Sequence, residues 1–477
     1  MTAFRFLFCA AALLGGVLPA SGDLPAVSSS LIEGEGGTQR FEISWQSRIG
    51  ARYQVEKSQN LVEPWLPADD ALTGNGGPLS FSETVGVSSM FYRISPAATI
   101  ASTPQIAALG DSISVAAGLG SYEIRGTGYL AWARVLGGSK WDFAPTPTQI
   151  VWGLGGLSST QLINGYLQGM LGSPAKVNLA MFGMNDALNN FAPSVVVGNA
   201  LQFCESMAAA GKIPVILGIT PVPLGTPGNE EGVISARVVV INQAVKAAVE
   251  GAGYHWLDIS TTISTSPGVA NDLYMTSPTN LHPSSLGASE LGRELNRQLS
   301  ALFTFTDTPL ANRAWLTPNA DYADGATTPT GYSMYVQAGG STGAQSVIDD
   351  SEGRWWHVPM SPLYAHSTWV IWNLTPLSAS PAGKTVDAVA RVRISEGACR
   401  GLGLALASNS SGNLSYDLSD PTDVKGIVRE ADGTVILRTP KVVVPAGVSL
   451  VYPVLVATPS GGDATIEIAE FAVREWP

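Results

Sequence analysis

The chain has 477 residues and a formal net charge of −12, and only 13% of its residues are charged. Length alone calls for roughly two to four domains, and a hydrophobic content of 45% supplies sizeable cores. An acidic, lysine-poor composition argues against nucleic acid or an anionic membrane as partner.

Residues 1–22 read as a secretory signal. Arg5 and the amino terminus give the positive end, Phe6 to Val17 the apolar core, and Ala20-Ser21-Gly22 the small-residue cleavage site. The apolar run is too short to span a bilayer, and no later run reaches spanning length, so stable membrane insertion is not expected. The expectation is a secreted or extracytoplasmic protein, with a retained amino-terminal anchor as the alternative. Cys9 sits too early in the apolar core to be a lipidation cysteine. Cys204 and Cys399 fall in different predicted domains, and core positions suit them better than a disulfide.

Residues 24–97 read as an all-β module. Phe41, Ile43 and Trp45 alternate with polar residues, as do Tyr53 and Val55, and Tyr92 and Ile94 close the segment. Turn clusters such as Thr73 to Pro78 separate these runs, the pattern of a small sandwich. The stretch Gly50 to Trp65 resembles a β-sandwich module of secreted multidomain bacterial proteins. Trp45 and Trp65 read as core. Residues 96–103 form a short polar linker.

The pattern then changes. Strand-length apolar runs, Ile106–Leu109, Gln149–Gly153, Val177–Phe182, Ile213–Ile219 and His255–Ile259, alternate with helix-length amphipathic stretches. Those lie near Gly128–Leu136, Ser159–Met170, Pro193–Ala210, Ser235–Glu250 and Leu286–Phe303. Five strands alternating with helices predict a parallel sheet covered on both faces, in one domain over residues 104–304. Residues 305–477 return to β signals and read as a jelly roll or similar sandwich. Val386, Ala388, Ala390, Val392 and Ile394 alternate, and Ile466, Ile468, Phe471 and Val473 form a strand with a phase slip, the mark of a bulge.

Chemistry concentrates at the ends of the predicted parallel strands. The first stops at Gly110-Asp111-Ser112. Gly-Asp-Ser alone is more often just a turn, but nucleophilic catalysis by serine needs a base in reach and donors aimed at the oxyanion. The α/β segment holds two histidines. His255 opens a buried strand and reads as structural. His282 lies in a strand-end loop before Pro283 and the last helix, and is the well-placed base. The third strand ends in Gly183-Met184-Asn185-Asp186, where Asn185 offers an amide donor. The second ends in a glycine cluster, Gly153-Leu154-Gly155-Gly156.

Together, Gly110-Asp111-Ser112-Ile113-Ser114, Gly156, Gly183-Met184-Asn185-Asp186 and His282-Pro283 resemble the ordered blocks of SGNH hydrolases, also called GDSL esterases and lipases. The likeness covers residues 104–303. It implies a flavodoxin-like five-stranded α/β domain that hydrolyses carboxylic esters without a cofactor. It implies Ser112 as nucleophile and His282 as general base. It also implies an oxyanion hole from the Ser112 N–H, the Gly156 N–H and the Asn185 side chain, with Gly155 as the alternative glycine. Asp111 reads as a turn former and Asp186 as structural.

One position departs from the family pattern. The acid usually found three residues before the histidine is replaced by Thr279. Three readings stay open. A backbone carbonyl of the 279–280 turn orients the ring, giving a Ser–His dyad. Asp272 folds back to supply the acid. Or the domain has lost activity.

Metal binding has little support, because the chain has four histidines and no Cys/His spacing typical of a ligand set. The glycine cluster lacks dinucleotide spacing and follows the wrong strand. The C-terminal segment is rich in aromatics: Trp355-Trp356, Trp369, Trp372, Tyr322, Tyr332, Tyr335 and Tyr364. Most read as core, although the segment resembles carbohydrate-binding jelly rolls of secreted hydrolases. Asp349-Asp350 reads as a turn, with a calcium site as the alternative. The expectation is a secreted serine esterase acting on an acylated carbohydrate, its ester an acetyl group. A lipase or lysophospholipase and a non-catalytic glycan-binding protein with a relic site are the alternatives.

Overall fold

The computed structural model describes residues 27–33, 39–46, 52–58, 66–68, 72–73, 77–84, 90–96, 98–100, 105–116, 123–125, 127–138, 151–305, 322, 327–373, 380–409, 412–419 and 427–476. The signal stretch 1–22 and Trp65 lie outside the described residues. By its backbone contacts the chain divides into two compact units, and the catalytic sheet, apart from His255, falls with the C-terminal sheets in the second.

The N-terminal region is β-rich, as its alternation predicts. One sheet pairs Val27–Glu33, Gln39–Gln46 and Pro78–Thr84. A second is built on Arg52–Ser58, with Phe91–Pro96 beside it. Side chains two apart share a face of a strand. Phe41, Ile43 and Trp45 therefore enter one core with Tyr53, Val55, Phe81 and Tyr92.

The central domain is a parallel five-stranded sheet with helices on it. Its strands are β1 (Ile106–Gly110), β2 (Trp152–Gly153), β3 (Val177–Met181), β4 (Ile213–Leu217) and β5 (His255–Leu257). Spatial order is β2-β1-β3-β4-β5. Order reverses between β1 and β3, the point where doubly wound sheets open a crevice at their carboxyl edge. β1 and β3 are buried at every residue, which is why they read as unbroken apolar runs. Among the described residues seven helices accompany the strands: α1 (Ser112–Val115), α2 (Tyr129–Leu136), α3 (Ser159–Leu171), α4 (Met184–Leu188), α5 (Pro193–Ala209), α6 (Val233–Gly251) and α7 (Ser285–Leu302). The short α1 and α4, at the strand ends, have no counterpart among the predicted elements.

The C-terminal region carries two further sheets. One runs Gly412–Ser419, Ala398–Ser408, Val451–Pro459, Thr368–Asn373 and Tyr332–Gln337. The other includes Gly353–Pro362, Ala464–Trp476, Thr385–Glu396 and Val435–Arg438. Trp355, Trp356 and Trp369 are fully buried in this core, and Arg391 and Arg393 lie over the Trp355 ring at 4.6 and 4.1 Å. The phase slip in the last long strand is a bulge. Glu470 takes a φ of 50°, and the register changes between Val389↔Ala472 and Arg391↔Ala469. Asp349 and Asp350 flank a hairpin turn and spend their oxygens on Arg354 and Arg393.

Among the described residues, three sets of contacts join this region to the catalytic domain. Glu123–Arg125, which follows α1 in sequence, adds in parallel to the edge strand Gly412–Ser419. On α7, Arg293 grips Asp432 with two hydrogen bonds of 2.6 and 2.9 Å, donates to the Ile427 carbonyl, and pairs with Glu290. Arg429 closes the network on Glu290. Arg134 of α2 donates to the carbonyl of Arg438 at 3.3 Å. Bidentate arginine–carboxylate pairs with low exposure hold geometry better than single surface pairs.

Candidate active site

Ser112 stands at the carboxyl end of β1, the first residue of α1. Its position depends on close backbone approach. A Cβ on Gly110 would come within 2.3 Å of Ser114 Oγ, and one on Gly153 within 1.9 Å of the Gly110 carbonyl oxygen. Gly153, at φ +144°, is in a conformation that other residues rarely adopt. Asp111 caps α1, accepting from the Ile113 N–H at 3.1 Å. It is fully buried, and that burial pushes its carboxyl up to about 7, with the nearby Asp186 carboxylate adding to the shift.

The glycine cluster after β2 borders the serine. A Cβ on Gly155 would lie 3.3 Å from Ser112 Cβ, whereas one on Gly156 (φ +81°) would meet nothing within 4 Å. Asn185 is the second residue of α4, beyond β3. Its amide donates to the Leu157 carbonyl at 3.0 Å and lies 3.4 Å from Asp111 Oδ2. Asp186 is buried and turned away, accepting from the Ser159 N–H at 2.8 Å and the Ser159 hydroxyl at 2.7 Å. It clamps the start of α3, the structural role expected of it.

The histidine arrives from the far side. Residues 275–283 form a loop whose ends are bonded together: Met275 bridges Pro283, the Thr276 N–H donates to the His282 carbonyl at 3.0 Å, and the Ser284 N–H donates to the Tyr274 carbonyl at 2.8 Å. His282 Nε2 stands 2.9 Å from Ser112 Oγ. Partial burial lowers the imidazole's pKa, which favours the neutral form that a general base requires.

Of the groups weighed for orienting the ring, neither the 279–280 backbone nor Asp272 meets Nδ1. The group there is the side chain of Asn280, whose Oδ1 is 2.7 Å from Nδ1 and also accepts the His282 backbone N–H at 3.0 Å. Asp272 opens a short 3₁₀ turn, exposed, with no hydrogen bond to His282 among the described residues. Sequence reasoning passed over Asn280. Its signal is local: asparagine two residues before another residue's N–H is an Asx turn. His255 packs edge-on to Phe303 at 5.7 Å, and burial holds its imidazole down at about 4. Cys204 and Cys399 are free and buried, their thiols pushed up to about 12 by burial. Among the described residues no cluster of three or more His, Cys, Asp or Glu side chains could hold a metal, and no helix is long and apolar enough to cross a membrane.

Residues 108–289 match the family described as GDSL-like lipase/acylhydrolase. That segment is a GDSL-like domain. No curated protein matches the chain. Among solved structures, the GDSL-like domain is similar to the acetylxylan esterase Axe2 of Geobacillus stearothermophilus, at 19% identity and a TM-score of 0.33, over 42% of this chain and 96% of that one. A member of the lipolytic G-D-S-L family from Veillonella parvula aligns at 18% identity and TM-score 0.31, over 42% and 99%. A GDSL-like lipase of Bacteroides thetaiotaomicron aligns at 13% and 0.32, over 41% and 88%.

Proposed function

We propose that this protein is a secreted serine esterase that removes acyl groups, acetyl foremost, from a carbohydrate. The observation that carries the catalytic part is the 2.9 Å contact between Ser112 Oγ and His282 Nε2 at the carboxyl edge of β1. In this reading His282 takes the hydroxyl proton as Ser112 Oγ attacks the ester carbonyl carbon. The oxyanion is held by the Ser112 N–H and by the Asn185 amide hydrogen that otherwise faces Asp111. The glycine turn supplies a backbone N–H, and Gly155, which borders Ser112, competes with Gly156 for that part. Collapse breaks the C–O bond, and His282 returns the proton to the leaving alcohol. Water then attacks the acyl-enzyme with His282 again as base, releasing the acid and restoring Ser112.

Secretion rests on the signal pattern of residues 1–22. The carbohydrate part rests on the outer face of the C-terminal sheet that Glu123–Arg125 extends. Register places Trp372, Val454, Ala405 and Tyr416 in one row across it, and Tyr335, Val370, Val456 and Gly403 in the next. Tyr335 is 58% exposed, and Trp372 and Tyr416 are half-buried. Glu123 pairs with Tyr416 at the end of the first row; the other residues named are uncharged, and their aromatic faces suit stacking on a sugar ring.

A second reading, a lipase or lysophospholipase, is favoured by exposed leucines on the strand-end loops: Leu154 (56%), Leu224 (46%) and Leu273 (66%). Hydrolysis of p-nitrophenyl esters of increasing chain length separates the two. A steep fall in kcat/KM from acetate to octanoate supports the deacetylase, and a rise supports the lipase. Ser112→Ala should cost at least about 10³-fold in kcat; undiminished activity in that variant would sink the mechanism.

A further inference from the structure

We propose that Asn280 is the positioning residue of the Ser112–His282 centre, its amide oxygen standing where a carboxylate stands in a Ser-His-Asp triad. The inference rests on the Ser–His reading above and goes beyond it.

Asn280 Oδ1 lies near two nitrogens of one residue, the His282 backbone nitrogen at 3.0 Å and Nδ1 at 2.7 Å. A backbone N–H can only donate, so the shared atom is an acceptor, the amide oxygen rather than its nitrogen. An amide oxygen in turn accepts from Nδ1 only if Nδ1 carries the proton. Neutral imidazole has one such proton. Nε2 is therefore bare, and the 2.9 Å contact with Ser112 runs from the serine hydroxyl to the ring. One oxygen thus closes the turn and selects the tautomer that a general base needs.

The neighbouring oxygens are occupied elsewhere. Thr279, at the position of the family's acid, has its hydroxyl 3.2 Å from the Ser277 hydroxyl, and a Cβ on Gly225 would lie 3.6 Å from its methyl. The Thr276 hydroxyl donates to the His282 carbonyl. Asp111, on the nucleophile's side, presents its carboxyl to Ile113 and Asn185, while Glu290 and Arg293 of α7 face Arg429 and Asp432. Asp272 and Tyr274 make no side-chain hydrogen bond to the ring.

Orientation and charge are thereby separated. A carboxylate at Nδ1 fixes the tautomer and also stabilises the imidazolium formed when the serine proton transfers. An amide oxygen does the first and brings no negative charge for the second. Burial lowers the affinity of His282 for a proton, and no carboxylate offsets it. The base is weaker than one backed by an acid, and it stays unprotonated to lower pH.

The test compares full-length wild type, Asn280→Ala, Asn280→Asp and Ser112→Ala on p-nitrophenyl acetate across the pH range, with ¹⁵N spectra of the His282 ring. Asn280→Ala should lower kcat by about 10²- to 10⁴-fold with KM little changed, and its ring should show both tautomers where wild type shows Nδ1–H. Asn280→Asp keeps an oxygen for both N–H groups. It should retain at least wild-type kcat and move the acid limb of kcat/KM up by about one pH unit or more. Wild-type kcat in Asn280→Ala with Ser112→Ala inactive, or an unmoved acid limb in Asn280→Asp, overturns the proposal. Should Asn280→Ala fail to fold, the acid limb of Asn280→Asp decides. Full activity in Ser112→Ala refutes the Ser–His reading instead, and the ring spectra then judge the role of Asn280.

Discussion

The two halves of the candidate active site are held in place by different physics. Ser112 follows a strand buried at all five residues, beside glycines that let backbones touch, and near a polar layer of buried Asp111, Asp186 and Ser159 with half-buried Asn185. His282 rides on a loop whose Thr279 and Asn280 are exposed and whose shape comes from hydrogen bonds to itself. Packing positions the nucleophile, and a turn positions the base. Substitutions in the buried layer around Ser112 should therefore register in stability, and those in the loop around His282 in turnover.

Asp111 puts the largest stress on this contrast. Its folded-state pKa is raised from 3.8 to about 7. Stability from its proton is complete below the unfolded value and is lost as pH rises through the folded one. Each pKa unit is worth about 1.4 kcal/mol, so roughly 4 kcal/mol is at stake. Asp111→Asn keeps an oxygen for the Ile113 N–H and removes the charge. Denaturant titrations at several pH values should show the wild type weakening over that window and the variant holding level. A parallel decline in both would show that Asp111 is not the group responsible. A smaller effect is expected at Asp186. Asp186→Ala removes the carboxylate that accepts from the Ser159 N–H and hydroxyl in a buried site and should cost about 2–3 kcal/mol, read as a lowered denaturation midpoint. Equal stability would break the claim that the nucleophile side is held by its buried layer. At the bottom of the scale, Asp272→Ala on the base side should leave both kcat and stability within error, since its carboxyl meets neither ring nor core. A loss of turnover there would return Asp272 to the site.

What the sequence made legible follows the same division. Ile106–Leu109 and Val177–Phe182 could be recognised as strands because burial on both faces forces unbroken apolar runs, and α3, α5, α6 and α7 because their apolar spacing repeats. Gly-Asp-Ser and Gly-Met-Asn-Asp stand at strand ends for the same local reason. The partner of His282 was harder to read. Family spacing directed attention to position 279, while the acceptor sits at 280 and differs in chemistry as well as in place. An amide serves a turn and a catalytic ring alike, and composition does not separate those uses. Nor could a pass along the chain find Glu123–Arg125 as a strand. Three residues of mixed polarity carry no period, and their pairing is decided by an edge supplied by Gly412–Ser419.

That pairing has a consequence for biogenesis. The strand after the nucleophile helix must wait for Gly412–Ser419, and Arg293 must wait for Asp432, before either finds its partner. Contacts between residues so far apart in sequence carry a high closure entropy and form late. A growing chain emerges amino end first. Glu123–Arg125 therefore leaves the ribosome before the edge it pairs with, Gly412–Ser419, has been made.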